Sequence, residues 1–487
     1  MTPDALLNLA CKGLPTVGRI IGQYGDLSLS DYVQTLVPEA GTPSYQPRKD
    51  LLEVVAHYIE PLLGPDAAKA AVQDLEAHPV VLTAPHFGVE YFAQTFQGRL
   101  IFSLLPLKKR ISTRLTFACG NIPLNNAVYP RGALIYQGRP ENMDHLPRRL
   151  PVFPERFKRT IVSAAPAFDR DMVDRAGASF SRMAQEQDIP PGVCYAVHLI
   201  LEDIYKSPSV LGLSSYSDQS VVVNYLIWKR IFKGRAPDSI CLEFERIAGR
   251  LLELDLFNPQ SLAGLILFDP DLREGLPAEL HSTCGTVFFW GIDDGGRKFS
   301  FTLNPTGSGV PSFFGLDDKG RTHVWPCTPE ALQAGLSEGR LLPSLFLCFA
   351  VLLFARGLTC IGGYLQGEYL PAMQRGLVRA LEKIRKYETV AGFVARARTD
   401  AYTDGMLAVM AGMGDHLLPA GPVELMAGGM TLADMDRLSR LTVREAHLAD
   451  LLETLQDAVP ANTLPHGWKR QWAKDTFQSL KDKVVMK

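Results

Sequence analysis

The chain reads as a mixed α/β (α+β) protein with a predominantly helical C-terminal third, and three observations carry that reading. Before residue 165, short β-branched apolar runs bounded by turn residues alternate with helical spacing. A hairpin signal stands near 286–303, and helical spacing dominates from 341 onward. With 487 residues the chain exceeds one ordinary core. It divides into an α/β region over 1–165, a mixed helical region with the hairpin over 166–340, and a helical region over 341–487. These are either separate or interleaved in one unit.

The first clear helix is 48–63, where Leu51, Leu52, Val55, Tyr58, Ile59, Leu62 and Leu63 recur at helical spacing before Gly64-Pro65. A second follows over 66–77. The run 79–84 (PVVLTA) has the β-branched content of a buried strand. Residues 85–98 read as a helix opened by Pro85 and closed by Gly98. Strands are expected at 99–105, 114–120, 132–136 and 159–165, and helices at about 170–187, 192–205 and 217–233. A further apolar run spans 240–256. Asp293-Asp294-Gly295-Gly296 sits between two β-rich runs as a hairpin turn. The stretch 341–354 is too short for a membrane span of roughly 20 residues, so it is expected as the most buried helix.

Composition narrows the function classes. Hydrophobic residues make up 46% and charged residues 21%, which is globular rather than disordered. A net charge of −2 without a Lys/Arg block gives no footprint for nucleic acid. The eight cysteines are scattered without C-x-x-C, as in a reducing compartment, and no signal peptide is visible at the N-terminus. The expectation is a soluble cytoplasmic protein with a small-molecule partner, no nucleic acid and no membrane. P-loop, dinucleotide-fingerprint, H-E-x-x-H, paired zinc-ligand, G-x-S-x-G and kinase motifs are all absent. Any site must therefore be assembled from residues far apart in sequence.

Candidate residues cluster at the ends of apolar elements. His86 and Glu90 follow the first buried strand and lie four apart, so on a helix they share a face. They can ligate a divalent metal or act as an acid–base pair; a solvated i,i+4 surface pair is the plain alternative. Between two strands, Cys119 is a nucleophile if His86 lies beside it, though free cysteines commonly just pack. In the same loop Asn121, Asn125 and Asn126 can orient a polar ligand and Arg131 can hold an anion, or the loop is simply well made. The helix after residue 216 is apolar nearly all round, so Ser217, Ser220 and Asn224 form a buried polar stripe and Asn224 needs a partner in the structure or in a ligand. Asp218 and Gln219 sit at the helix start, where Asp218 is either a ligand group or an ordinary cap. Arg356 leaves the most apolar run and requires a carboxylate or an anionic ligand; Glu368 is the nearby candidate. His281, Cys284 and the loop 304–309 are weaker ligand candidates.

Together these point to an enzyme, a hydrolase or transferase, acting on a small polar, anionic metabolite by metal-assisted or acid–base chemistry. The alternatives are a Cys119-dependent thiol enzyme, or a non-catalytic ligand-binding or scaffold protein whose surface is formed by the helices at 431–458 and 466–482.

Overall fold

The structure, a computed structural model, describes residues 2–38, 43–105, 112–137, 147–187, 189–277, 280, 285–304, 310–460, 463–464 and 467–487. His281, Cys284 and residues 305–309 lie outside them. No helix among the described residues is long and apolar enough to cross a membrane.

The fold is mixed α+β, organised on one five-stranded sheet: β1 (Val80–Leu82), β2 (Thr113–Ala118), β3 (Asp238–Glu243), β4 (Thr359–Gly363) and β5 (Tyr402–Asp404). The spatial order is β5-β4-β1-β2-β3, with every neighbouring pair parallel. A parallel sheet covered on both faces needs strands that are apolar throughout. Val80, Val81 and Leu82 are accordingly all buried. The strands come from all three stretches of the sequence. From β1 the sheet grows outward through β2 and β3; the chain then returns to β1's other edge to lay down β4 and β5. The reversal makes the β1–β4 crevice a topological switch point, where open α/β sheets bind ligands beyond the strands' carboxyl ends.

The helices Lys49–Leu63 and Pro65–Ala77 form where their spacing predicts. The segment after β1 does not. Instead of a helix over 85–98, residues 83–92 form an irregular loop, and the helix α1 is Ala93–Phe102. His86 pairs with Cys119 in an isolated parallel bridge that prolongs the β1–β2 contact. Gly88 then turns at φ +130° against Pro130. Every residue of α1 is buried, so no amphipathic stripe marks it, and its last turn with the residues just beyond, 99–105, mimics a strand. A Cβ on Gly88 would lie 2.5 Å from the Pro130 Cβ in a conformation that L side chains rarely adopt. Gly88→Ala is therefore expected to cost about 2 kcal/mol in urea denaturation; an unchanged midpoint would contradict this loop geometry.

Three further helices frame the sheet. They are α2 (Tyr216–Phe232), α3 (Phe244–Asp255), which follows β3 directly, and α4 (Gln366–Glu382), which follows β4. The expected hairpin is present, with Phe289–Ile292 antiparallel to Lys298–Ser300. Asp293 fastens its turn by accepting from Gly295 N–H and Arg297 N–H. The expected strand at 159–165 is instead a single 3₁₀ turn at Val162–Ala164. The apolar run at 341–354 opens as a strand, Leu341–Pro343, and continues as a helix, buried from Phe346 on, that widens to a π turn over Ala350–Ala355. The C-terminal third is helical but also supplies β4, β5 and the pair Val409–Met413 and His416–Pro419. Its helix α5 (Leu451–Ala458) packs on the N-terminal helix Pro3–Gly13.

Candidate functional site

At the carboxyl ends of β1, β4 and β5 lies a cavity of about 380 Å³. Its wall includes His86 from the loop after β1, Asn126 from the loop after β2, Tyr364 and Gln366 from the start of α4, Asp404 from the end of β5, and Glu453 on α5. The base of the crevice is rigid. Thr83 donates through Oγ1 to Gln366 Oε1 at 2.9 Å, and Gln366 Nε2 donates to the Cys360 carbonyl at 3.2 Å.

His86 is half-buried. Its Nδ1 lies 3.1 Å from Asn126 Oδ1, and the same oxygen accepts from Val128 N–H at 3.3 Å. An oxygen already accepting requires a donor, so Nδ1 carries the hydrogen and Nε2 carries the lone pair. Burial pushes the imidazole below its ordinary pKa, with Asn126 opposing and Lys298 adding to the shift. The ring is thus neutral, fixed in one tautomer, and part of the cavity wall.

Glu90 is elsewhere. Because 85–90 is not helical, it shares no face with His86. Its carboxylate meets Arg99 at 2.5 Å, with both side chains buried, and its N–H donates to Asn224 Oδ1. The His86–Glu90 metal or acid–base pair is therefore withdrawn. Among the described residues no three His, Cys, Asp or Glu side chains are grouped as metal ligands.

A second polar cluster sits where β2 and β3 end. Cys119 Sγ donates to Glu245 Oε1 at 2.9 Å, and Asn121 Nδ2 donates to the same oxygen at 2.6 Å. Gly120 N–H takes Glu245 Oε2, and Lys298 Nζ donates to Asn121 Oδ1 at 2.8 Å. Burial, and then the charge of Glu245, push the Cys119 thiol well above its ordinary pKa. Only the thiolate attacks or alkylates readily. Iodoacetamide near neutral pH is thus expected to leave Cys119 largely unmodified, read by peptide mass spectrometry; preferential labelling of Cys119 would restore it as a nucleophile.

The remaining expected residues are held by the fold. Asn224 bridges Glu90 N–H and the Gly88 carbonyl, fixing the loop that carries His86. Gln219 clamps both the N–H and the carbonyl of Phe168. Asp218 pairs with Arg246 at 2.6 Å beside a separate cleft lined by Ser217 and Glu243. Arg131 bonds Glu155 and the Phe153 carbonyl, so it is not free to hold an anion. Arg356 pairs with Asp50 and Asp255 rather than with Glu368 or a ligand. Glu368 instead accepts from Thr16 N–H at 2.7 Å. Asn125 is exposed. Of the expected set, His86 and Asn126 meet in the cavity, while Cys119 and Asn121 meet beside Glu245. Asp404, Glu453, Glu245 and Lys298 were missed. Asp404 closes a three-residue strand, too short to show alternation, and the others join only through the tertiary fold.

Comparison with known proteins found no matching family model, and no match among curated proteins or solved structures.

Proposed function

We propose that this protein is an enzyme performing acid–base chemistry, a hydrolysis or group transfer, on a small polar molecule bound at the β1–β4 switch point. One observation carries the reading: a neutral, tautomer-fixed His86 forms part of the wall of that cavity. A general base needs an available lone pair and a fixed orientation, and Asn126 provides the orientation. His86 Nε2 would take the proton from a water or hydroxyl nucleophile as that oxygen bonds to the substrate's electrophilic carbon or phosphorus. It would then return the proton to the departing group. The cavity volume is in the range of small-molecule sites. Arg131 and Arg356, the residues that suggested an anionic substrate, are both paired within the fold.

The test is untargeted mass spectrometry of a small-molecule extract incubated with the protein or with His86→Gln. Conversion of a metabolite by the wild type, reduced at least about a hundredfold in the variant, supports the reading. No conversion by the wild type, or equal conversion by a folded His86→Gln, overturns it.

A further inference from the structure

From the carboxylates that meet at the switch-point cavity, we infer that its occupant is an organic cation, an aliphatic amine held through its ammonium groups by Asp404, Glu453 and Asp457. The inference deepens the reading above by naming the substrate's charge class, and it rests on that reading for the occupant being a substrate.

The cavity's charge is one-sided. Of the described residues that line it, three are carboxylates and none is lysine or arginine. Behind them Asp450 is fully buried, its Oδ2 held by Gln94 and Thr454 and its Oδ1 without a partner. Asp404 is 5% exposed, forms part of the cavity wall, and its Oδ1 likewise has no hydrogen-bond partner. A buried, unpartnered carboxylate oxygen costs free energy unless something completes it. The cations nearby do not. Arg99 is taken by Glu90 and Ser239, and Lys469, which acts on Glu453, is not part of the wall. The N-termini of α1 and α4 also open here and carry roughly half a positive charge each. A helix terminus supplies no formal cation to pair with these carboxyl groups, and Glu368 already occupies the first turn of α4.

The donor arrangement separates an organic cation from a metal ion. A divalent ion needs several oxygens converging on one point, and these carboxylates form no such group. They range from buried Asp404 to exposed Asp457. Tyr364, Tyr369 and Phe92 also line the cavity, and aromatic faces attract alkylammonium groups while covering their methylene chains. Tyr364 additionally donates to Asp457 Oδ2 at 2.7 Å, fixing the rim carboxylate.

The test is isothermal titration calorimetry of the full chain with 1,4-diaminobutane, and with 1,4-butanediol, succinate and Mg²⁺ as comparison ligands. The expected result is saturable diamine binding, weakened at least about tenfold in Asp404→Asn and in Glu453→Gln, with no binding of diol or succinate. Tighter binding of succinate than of diamine, displacement of diamine by Mg²⁺, no diamine binding, or equal affinity in both variants overturns the assignment. Saturable diamine binding by the wild type without turnover of any metabolite would remove the catalytic reading and leave the cation site standing.

Discussion

Arg356→Met is expected to destabilise the protein by about 3–5 kcal/mol in urea denaturation. The side chain is completely buried. All five of its N–H groups are used, on Asp50, Asp255 and the Val351 carbonyl. Removing the guanidinium leaves the 3%-exposed Asp255 as an uncompensated buried charge, which costs far more than the net worth of the pair. The double variant Arg356→Met with Asp255→Asn removes that charge and should recover a large part of the loss. A single variant within about 1 kcal/mol of wild type would mean that the site is hydrated and the pairing weak.

Asp404→Asn is expected to stabilise the protein relative to wild type, by about 2–3 kcal/mol more at pH 9 than at pH 6. Burial, and then the neighbouring charge of Glu90, raise the Asp404 carboxyl to about 8. Asp450 lies close enough to feel its charge and is raised well above the carboxylate range, chiefly by burial. A hydrogen bond from Gly405 N–H opposes the shift of Asp404. The folded state therefore holds a proton that the unfolded chain releases near pH 4. Stability from this group is fully present below the unfolded value and is lost as pH rises, until the folded value near 8 is passed. Asparagine carries no such penalty. Glu424 and Asp74, each raised to about 7 mainly by burial, titrate in both proteins and cancel, so the difference reports Asp404 together with the Asp450 carboxyl whose titration its charge perturbs. A pH-independent difference would show that the carboxyl is already ionised at pH 6. An amine in the cavity should shrink the effect, because it stabilises the carboxylate of the wild type alone.

Where burial follows a local pattern, the sequence was legible. Lys49–Leu63 announces itself by apolar spacing and by Gly64, which turns at φ +87°. The buried strand Val80–Leu82 and the turn at Asp293 could be read in the same way. Elements buried on every side could not: α1 has no polar face to set its period, and Pro85 resembles a helix start although it lies in the irregular loop after β1. β4 ends in Gly362-Gly363, which imitate a connector between helices. Of the site, His86, Asn126, Cys119 and Asn121 were visible as polar residues beside apolar runs. Their partners were not, because Glu245, Lys298 and Asp404 arrive from strands and loops that only the sheet order brings together. Glu90 failed for a related reason. Spacing points to His86, four residues away on a helix face, but the charge that Glu90 meets is Arg99, reached by a loop and a helical turn.

The order of the strands also governs how the protein can be made. Val80 on β1 pairs with Thr359 on β4, so the central junction of the sheet closes only after β4, far along the chain from β1, has been synthesised. Until then β1, β2 and β3 can pair among themselves, leaving one long edge of β1 open with Val80, Val81 and Leu82 displayed on it. Such an edge is a template for pairing with another chain, and closing so distant a contact is slow. Nascent or refolding protein should therefore pass through a concentration-sensitive intermediate whose vulnerable surface is the strand that later floors the ligand cavity.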